Sequence, residues 1–226
     1  MKKLSPSQYL DTVIACFEEA GRPEVAEGQM KYMRNQFEFF GLKAPVWMPM
    51  AKQLFKTHGI LRGEELRQLA RLCFEEEQRE LHYFAIEMVE RALKKEPEAL
   101  IDFLEELIGL RSWWDTVDWL AKLVGIHFQR FPALIRPVTE RWMDSEQLWL
   151  QRTAIIFQLR YRDQTDADLL FEYILRVADS KEFFLQKAAG WALRQYAKTN
   201  PEVVRRFIAG HQLPALTVRE GSKYLK

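Results

Sequence analysis

Trp114 and Asp118 stand four residues apart within Ser112-Trp113-Trp114-Asp115-Thr116-Val117-Asp118-Trp119, a stretch holding three tryptophans and two carboxylates. Trp113, Val117, Leu120, Val124 and Phe128 recur at helical spacing and predict a core stripe. Trp114 and Asp118 fall on a neighbouring face that continues through Ala121 and Lys122 to Gly125. An aromatic ring beside a carboxylate off the core face has two readings. One is a tryptophan at the core edge with a solvated aspartate near a helix start. The other is a site in which the carboxylate stabilises positive charge. Arg152 is a second candidate, because its helical neighbours Leu148, Trp149, Ile155 and Ile156 are all apolar. A guanidinium there needs a carboxylate, a phosphate or an aromatic plane, unless it snorkels outward over the apolar surface. Trp191 shares its side of a helix with Lys187, Arg194 and Lys198, at i−4, i+3 and i+7. An aromatic within a basic face suits phosphate and sugar or base contact, or some other interface. Tyr32 falls off the Met33/Phe37/Phe40 stripe beside Lys31 and Arg34.

Other chemistries lack their residues. His58, His82, His127 and His211 are scattered without ligand spacing, and no glycine-rich phosphate loop, Ser/His/Asp pattern or zinc motif occurs. Phosphoryl transfer, nicotinamide chemistry and hydrolysis by an activated serine or cysteine are not expected on that basis. No metal and no cofactor are expected.

The 226 residues carry a net charge of +1, so bulk charge names no partner. Its distribution is uneven. Leu72 to Glu106 holds eleven acidic and four basic residues, whereas Lys181 to Lys226 holds nine basic and three acidic. A neutral chain with one basic end can hold a polyanion on that end. Cys16 and Cys73 stand far apart and predict reduced core residues of a cytoplasmic protein. The start, Met1-Lys2-Lys3-Leu4-Ser5-Pro6, has no apolar run behind it, so no signal peptide is expected. No window approaches a membrane span.

Nearly every segment reads as helix. Expected helices cover about 5–20, 23–40, 46–58, 63–74, 77–94, 97–109, 112–131, 132–143, 145–161, 166–179, 181–198, 201–210 and 214–225. Gly59, Gly63, Pro97, Gly109, Pro132, Asn200-Pro201 and Pro214 punctuate them. Short connections force antiparallel neighbours. From Glu77 onward the helices form pairs of about 35–40 residues, which predicts an all-α fold, an α-solenoid of HEAT-like helical repeats with a concave face, spanning 1–226 as one domain. A compact helical bundle is the alternative.

Five segments then resemble one family. Ser112 to Asp118, Trp149 to Leu159, Ser180 to Trp191, Lys31-Tyr32-Met33 and Tyr196 to Pro201 are similar to the AlkD family of DNA alkylation repair glycosylases, and the likeness runs in register along nearly the whole chain. The resemblance implies a bacterial HEAT-like repeat enzyme that removes N-alkylated purines, such as 3-methyladenine and 7-methylguanine, from double-stranded DNA held in a basic concave face. It implies that Trp114, Asp118, Arg152 and Trp191 are active-cleft residues and that Tyr32 lies at the cleft edge. Lys187, Arg194 and Lys198 are expected to contact phosphates, and a monomer is expected.

The chemistry fits those residue types. An N-alkylated purine is cationic and departs neutral, so no general acid is required. Charge moves to the sugar as an oxocarbenium ion, which Asp118 would stabilise while orienting water. Arg152 would bind a phosphate and orient Asp118, and Trp114 and Trp191 would flank the nucleotide. No lysine presents itself as a Schiff-base nucleophile, so hydrolysis without strand cleavage is expected. Two rivals stand: a non-catalytic HEAT-like scaffold that binds nucleic acid or protein, and a glycosylase for uncharged bases, which would need a hydrogen-bonding base pocket.

Overall fold

A computed structural model describes residues 4–225, and among these every extended element is helical. The only β feature among them is one isolated parallel bridge, Glu38 to Gln78. The chain divides into two compact units, one ending at Phe103 and the other beginning at Leu104. No described helix is long and apolar enough to cross a membrane.

The first unit contains α1 (Pro6–Ala20), α2 (Pro23–Tyr32), α3 (Ala44–His58), α4 (Gly63–Glu75) and α5 (Arg79–Ala92). Helix α1 starts on a capping box. Ser5 Oγ accepts from the Gln8 N–H, and the Gln8 side chain accepts from the Ser5 N–H. Its inward face is Tyr9, Leu10, Val13 and Phe17. Cys16, expected in the core, is half-buried, while Cys73 is fully buried. Rings of Tyr9, Phe17 and Phe55 meet Phe84 at 5.1–6.2 Å.

Helix α2 ends eight residues earlier than its apolar spacing predicts. Arg34 and Asn35 adopt left-handed backbone angles, φ 57° and 54°, which a helix cannot pass through. The chain after them is held by Glu80 instead. Its carboxylate accepts the N–H groups of Phe40, Gly41 and Leu42 at 2.9–3.1 Å. Phe37, expected to be helical, lies under the Arg79 guanidinium at 3.7 Å.

Helix α6 (Leu100–Gly109) leads into the second unit, which holds α7 (Trp114–Arg130), α8 (Ile135–Asp144), α9 (Leu148–Ile156), α10 (Ala167–Arg176), α11 (Phe183–Tyr196), α12 (Pro201–Gly210) and α13 (Ala215–Gly221). Alternate helices form two layers. Helices α7, α9, α11 and α13 each contact the next. Behind them, α8 meets α10 through Arg136–Glu172 and Arg176–Glu140, and α10 meets α12 through stacked Phe171 and Phe207. This is the helical pairing expected from the sequence, with observed helices a few residues shorter. The difference is largest at α9, which stops at Ile156 rather than 161 and continues as turns.

Val117, Leu120, Val124 and Phe128 have no solvent exposure, so the predicted α7 stripe is the core. Trp113 is not part of it. It is the residue before the helix, in extended conformation (φ −153°), and is half-buried against Trp149 and Phe184 at 6.0 and 5.3 Å.

Candidate active site on the α7, α9 and α11 layer

Asp118 lies just over one turn into α7, and Arg152 lies in the middle of α9. The guanidinium grips the carboxylate with two bonds, Nε to Oδ1 at 2.8 Å and Nη2 to Oδ2 at 3.0 Å. Its remaining terminal nitrogen, Nη1, donates to the Phe184 carbonyl at 2.7 Å, at the start of α11. Three of its five N–H groups are thereby committed, and the residue is only 3% exposed. The aromatic plane that the sequence called for is also present, since the Phe184 ring lies 5.9 Å from the guanidinium carbon. Arg152 is thus a buried strut joining three helices. It orients Asp118 and has little free surface to offer a phosphate.

Close helix packing makes this reach possible. A Cβ on Gly125 would lie 2.3 Å from the Phe157 carbonyl oxygen, so α7 can approach the end of α9 only with glycine there. The Tyr161 hydroxyl donates to the Gly125 carbonyl at 2.7 Å and fixes the same contact.

Asp118 remains partly open, with 19% of its side chain exposed. Burial pushes its carboxyl above the ordinary range, outweighing the opposing pull of Arg152; nearby Asp115 adds to the rise. The open side faces a cleft of about 460 Å³ lined by Trp119, Lys122, Arg160, Tyr161, Trp191 and Gln195, among others. The site thus holds a fixed carboxylate, aromatic walls and cations. Among the described residues, no three His, Cys, Asp or Glu side chains gather as a metal site.

Asp118 and Trp191 therefore share one cleft, with Arg152 behind the carboxylate. Trp114 is half-buried one turn before Asp118 on α7 and stands outside the cleft lining. Tyr32 belongs to the other unit, as the last residue of α2, and is 72% exposed. Lys187 and Arg194 both bind the carboxylate of Glu220. Lys198 donates to Gln195 at 2.9 Å and lies over the Tyr224 ring. Sequence reasoning passed over Trp119, Arg160, Tyr161, Gln195 and Phe184. Trp119 follows Asp118 directly, which was a usable signal. Arg160 and Tyr161, expected to be helical, line the cleft from the turns that follow α9.

Residues 13–225 match the sequence profile of the family described as DNA alkylation repair enzyme. This chain belongs to that family. A solved structure described as a predicted DNA alkylation repair enzyme from Enterococcus faecalis is 33% identical, with a TM-score of 0.85, covering 91% of this chain and 96% of that one. Two Streptococcus mutans structures share the fold at 16% identity. They are smu.31 of strain UA159 (TM-score 0.63; 80% of this chain, 93% of that one) and AlkD2 (TM-score 0.62; 79% and 90%). No curated protein matches the chain. The AlkD-like resemblance read from the sequence therefore holds, and with it a role as an enzyme of DNA alkylation repair.

Proposed function

We propose that this chain is a monofunctional DNA glycosylase, a single domain acting as a monomer, that hydrolyses the N-glycosidic bond of cationic N3- and N7-alkylated purines in duplex DNA. The observation that supports this reading best is the partly open Asp118 carboxylate, held at both oxygens by a buried arginine and lining the same cleft as Trp191. A carboxylate tied this firmly is preorganised for charge that develops elsewhere, because it need not reorient when that charge appears.

The steps follow from the substrate's own charge. The bond from C1′ to the glycosidic nitrogen breaks, and its electron pair neutralises the purine cation. The base leaves without taking a proton. Positive charge moves to C1′ and the ring oxygen, where Asp118 stabilises it. Water oriented by the same carboxylate then adds to C1′ and gives up a proton, leaving a free base and an abasic sugar. Trp191, with Trp114 or Trp119, presents ring faces to the cationic base or sugar, at about 0.5–2 kcal/mol per ring. Arg152 keeps Asp118 ionised and aimed. A stray carboxylate rotamer would forfeit most of this stabilisation.

The test is product analysis on methylated duplex DNA. We expect free 3-methyladenine and 7-methylguanine together with intact strands bearing abasic sites. Strand cleavage coupled to base release would overturn the monofunctional reading. Duplex binding with no release would favour a non-catalytic scaffold.

A further inference from the structure

We propose that Glu220 is a positioning residue that arrays Lys187, Arg194 and Lys223 as one phosphate-binding cluster beside Trp191, and that Lys223, from the C-terminal segment, is itself a contact to the DNA backbone. The inference rests on the reading that the chain binds duplex DNA.

Three cations converge on this one carboxylate. Lys187 Nζ reaches Oε1 at 3.0 Å, while Arg194 Nη1 and Lys223 Nζ reach Oε2 at 2.9 and 2.8 Å. One negative charge against three positive ones leaves two in excess. The layering is unequal as well. The Glu220 side chain is 5% exposed, whereas the cations are 38, 24 and 48% exposed. The anion is therefore sealed while the cationic side chains stay open to solvent, so an approaching polyanion meets attraction rather than a neutralised surface.

The carboxylate is fixed in place. A Cβ on Gly190 would lie 2.6 Å from Glu220 Cβ and 3.0 Å from the Thr217 carbonyl oxygen, so α13 sits directly on α11 at this point. Thr217 Oγ1 donates to the Gln186 carbonyl at 3.0 Å, pinning the same contact. Lys187, Trp191 and Arg194 follow at i, i+4 and i+7 along α11, so the two helix-borne cations flank the tryptophan that lines the cleft. Lys223 reaches the cluster from the turn after α13, which the sequence pattern does not connect to α11. Holding flexible lysine chains in one place before binding removes an ordering cost at binding.

The competing account is that these ion pairs only fasten the C-terminal helix. Salt-dependent binding of undamaged duplex separates the two. The cluster account predicts that Lys223→Gln makes the negative slope of log Kobs against log salt shallower by about 0.9, the loss of one phosphate contact. Lys223→Arg should keep the wild-type slope, and melting temperatures should stay close to wild type. An unchanged slope in Lys223→Gln would overturn the assignment. Glu220→Gln gives a second reading with opposite signs. If Glu220 merely dilutes positive charge, its removal tightens binding; if it positions the cations, binding weakens several-fold although the chain has become more positive. Tighter binding would overturn the positioning role. A wild-type chain that bound no duplex would fail the functional reading itself, whereas wild-type binding with an unchanged Lys223→Gln slope would fail only this inference.

Discussion

The two helix layers of the second unit hold charge in opposite ways. On α8 and α10, Arg136, Glu140, Asp144, Glu172 and Arg176 form a chain of ion pairs in which every member keeps substantial contact with water. Between α7 and α9, Asp118 pairs with Arg152, and this arginine is nearly sealed. Exposed pairs exchange solvation for attraction at little net gain and tolerate loss of a member. A buried pair carries a large desolvation cost and leaves an uncompensated charge when one partner is removed. The outer-layer pairs are therefore the dispensable ones. The sealed pair is costly to keep and opens onto a cleft, which is the pattern expected where a carboxylate is held ready for chemistry.

The contrast can be broken most severely at Arg152. Arg152→Met should destabilise the fold by about 3–5 kcal/mol, since the largely enclosed Asp118 carboxylate would be left unpaired; chemical denaturation measures this. A loss below about 1 kcal/mol would mean that the pair behaves like those on the outer layer. Next, Trp191→Ala should slow base release by roughly 2- to 30-fold, the range of a cation–π contact, with the fold retained.

Acid dependence sharpens the comparison. Burial raises the Asp118 carboxyl above the ordinary value of 3.8, so it regains its proton at a higher pH than an exposed aspartate does. The acid limb of the excision profile should therefore fall above pH 3.8. The same group contributes stability at low pH and loses that contribution as pH rises through its folded-state value. Glu220 has the opposite sign. Hydrogen bonds from Lys223 and Lys187 hold it at about 2 against an ordinary 4.5, so its contribution is present above 4.5 and lost as pH falls toward 2. Acid titrations of wild type and Glu220→Gln should diverge in that lower window. The smallest effect is expected on the outer layer. Arg176→Gln should cost about 0–1 kcal/mol and leave base release unchanged.

How much of this was readable in advance varied with distance along the chain. The outer pair Arg136–Glu140 is four residues apart, a spacing visible on one helix. Asp118 and Arg152 are 34 residues apart, and each announced itself only as a misfit, a carboxylate off the core face and a cation among apolar neighbours. Their joining depends on the close passage at Gly125, which one sequence does not reveal. Resemblance to the AlkD family supplied the pairing that spacing left open. The basic face of α11 was readable, but its partner Glu220 was not, because the two meet through the tight seat of α13 on Gly190. Helix ends were the least legible feature. Arg34 is a poor advertisement for a left-handed turn, and Asn35 beside it is only a weak one. The helical layers, by contrast, followed from apolar periodicity and proline punctuation alone.

The central claim is that Asp118 does the chemistry and does not merely tie helices together. It is tested by release of 3-methyladenine and 7-methylguanine from alkylated duplex DNA by wild type and Asp118→Asn, with duplex affinity measured alongside. The account predicts a 100- to 1,000-fold slower release by the variant, about 2.7–4 kcal/mol, with duplex binding preserved. Release at the wild-type rate by a folded, DNA-binding Asp118→Asn protein would contradict it.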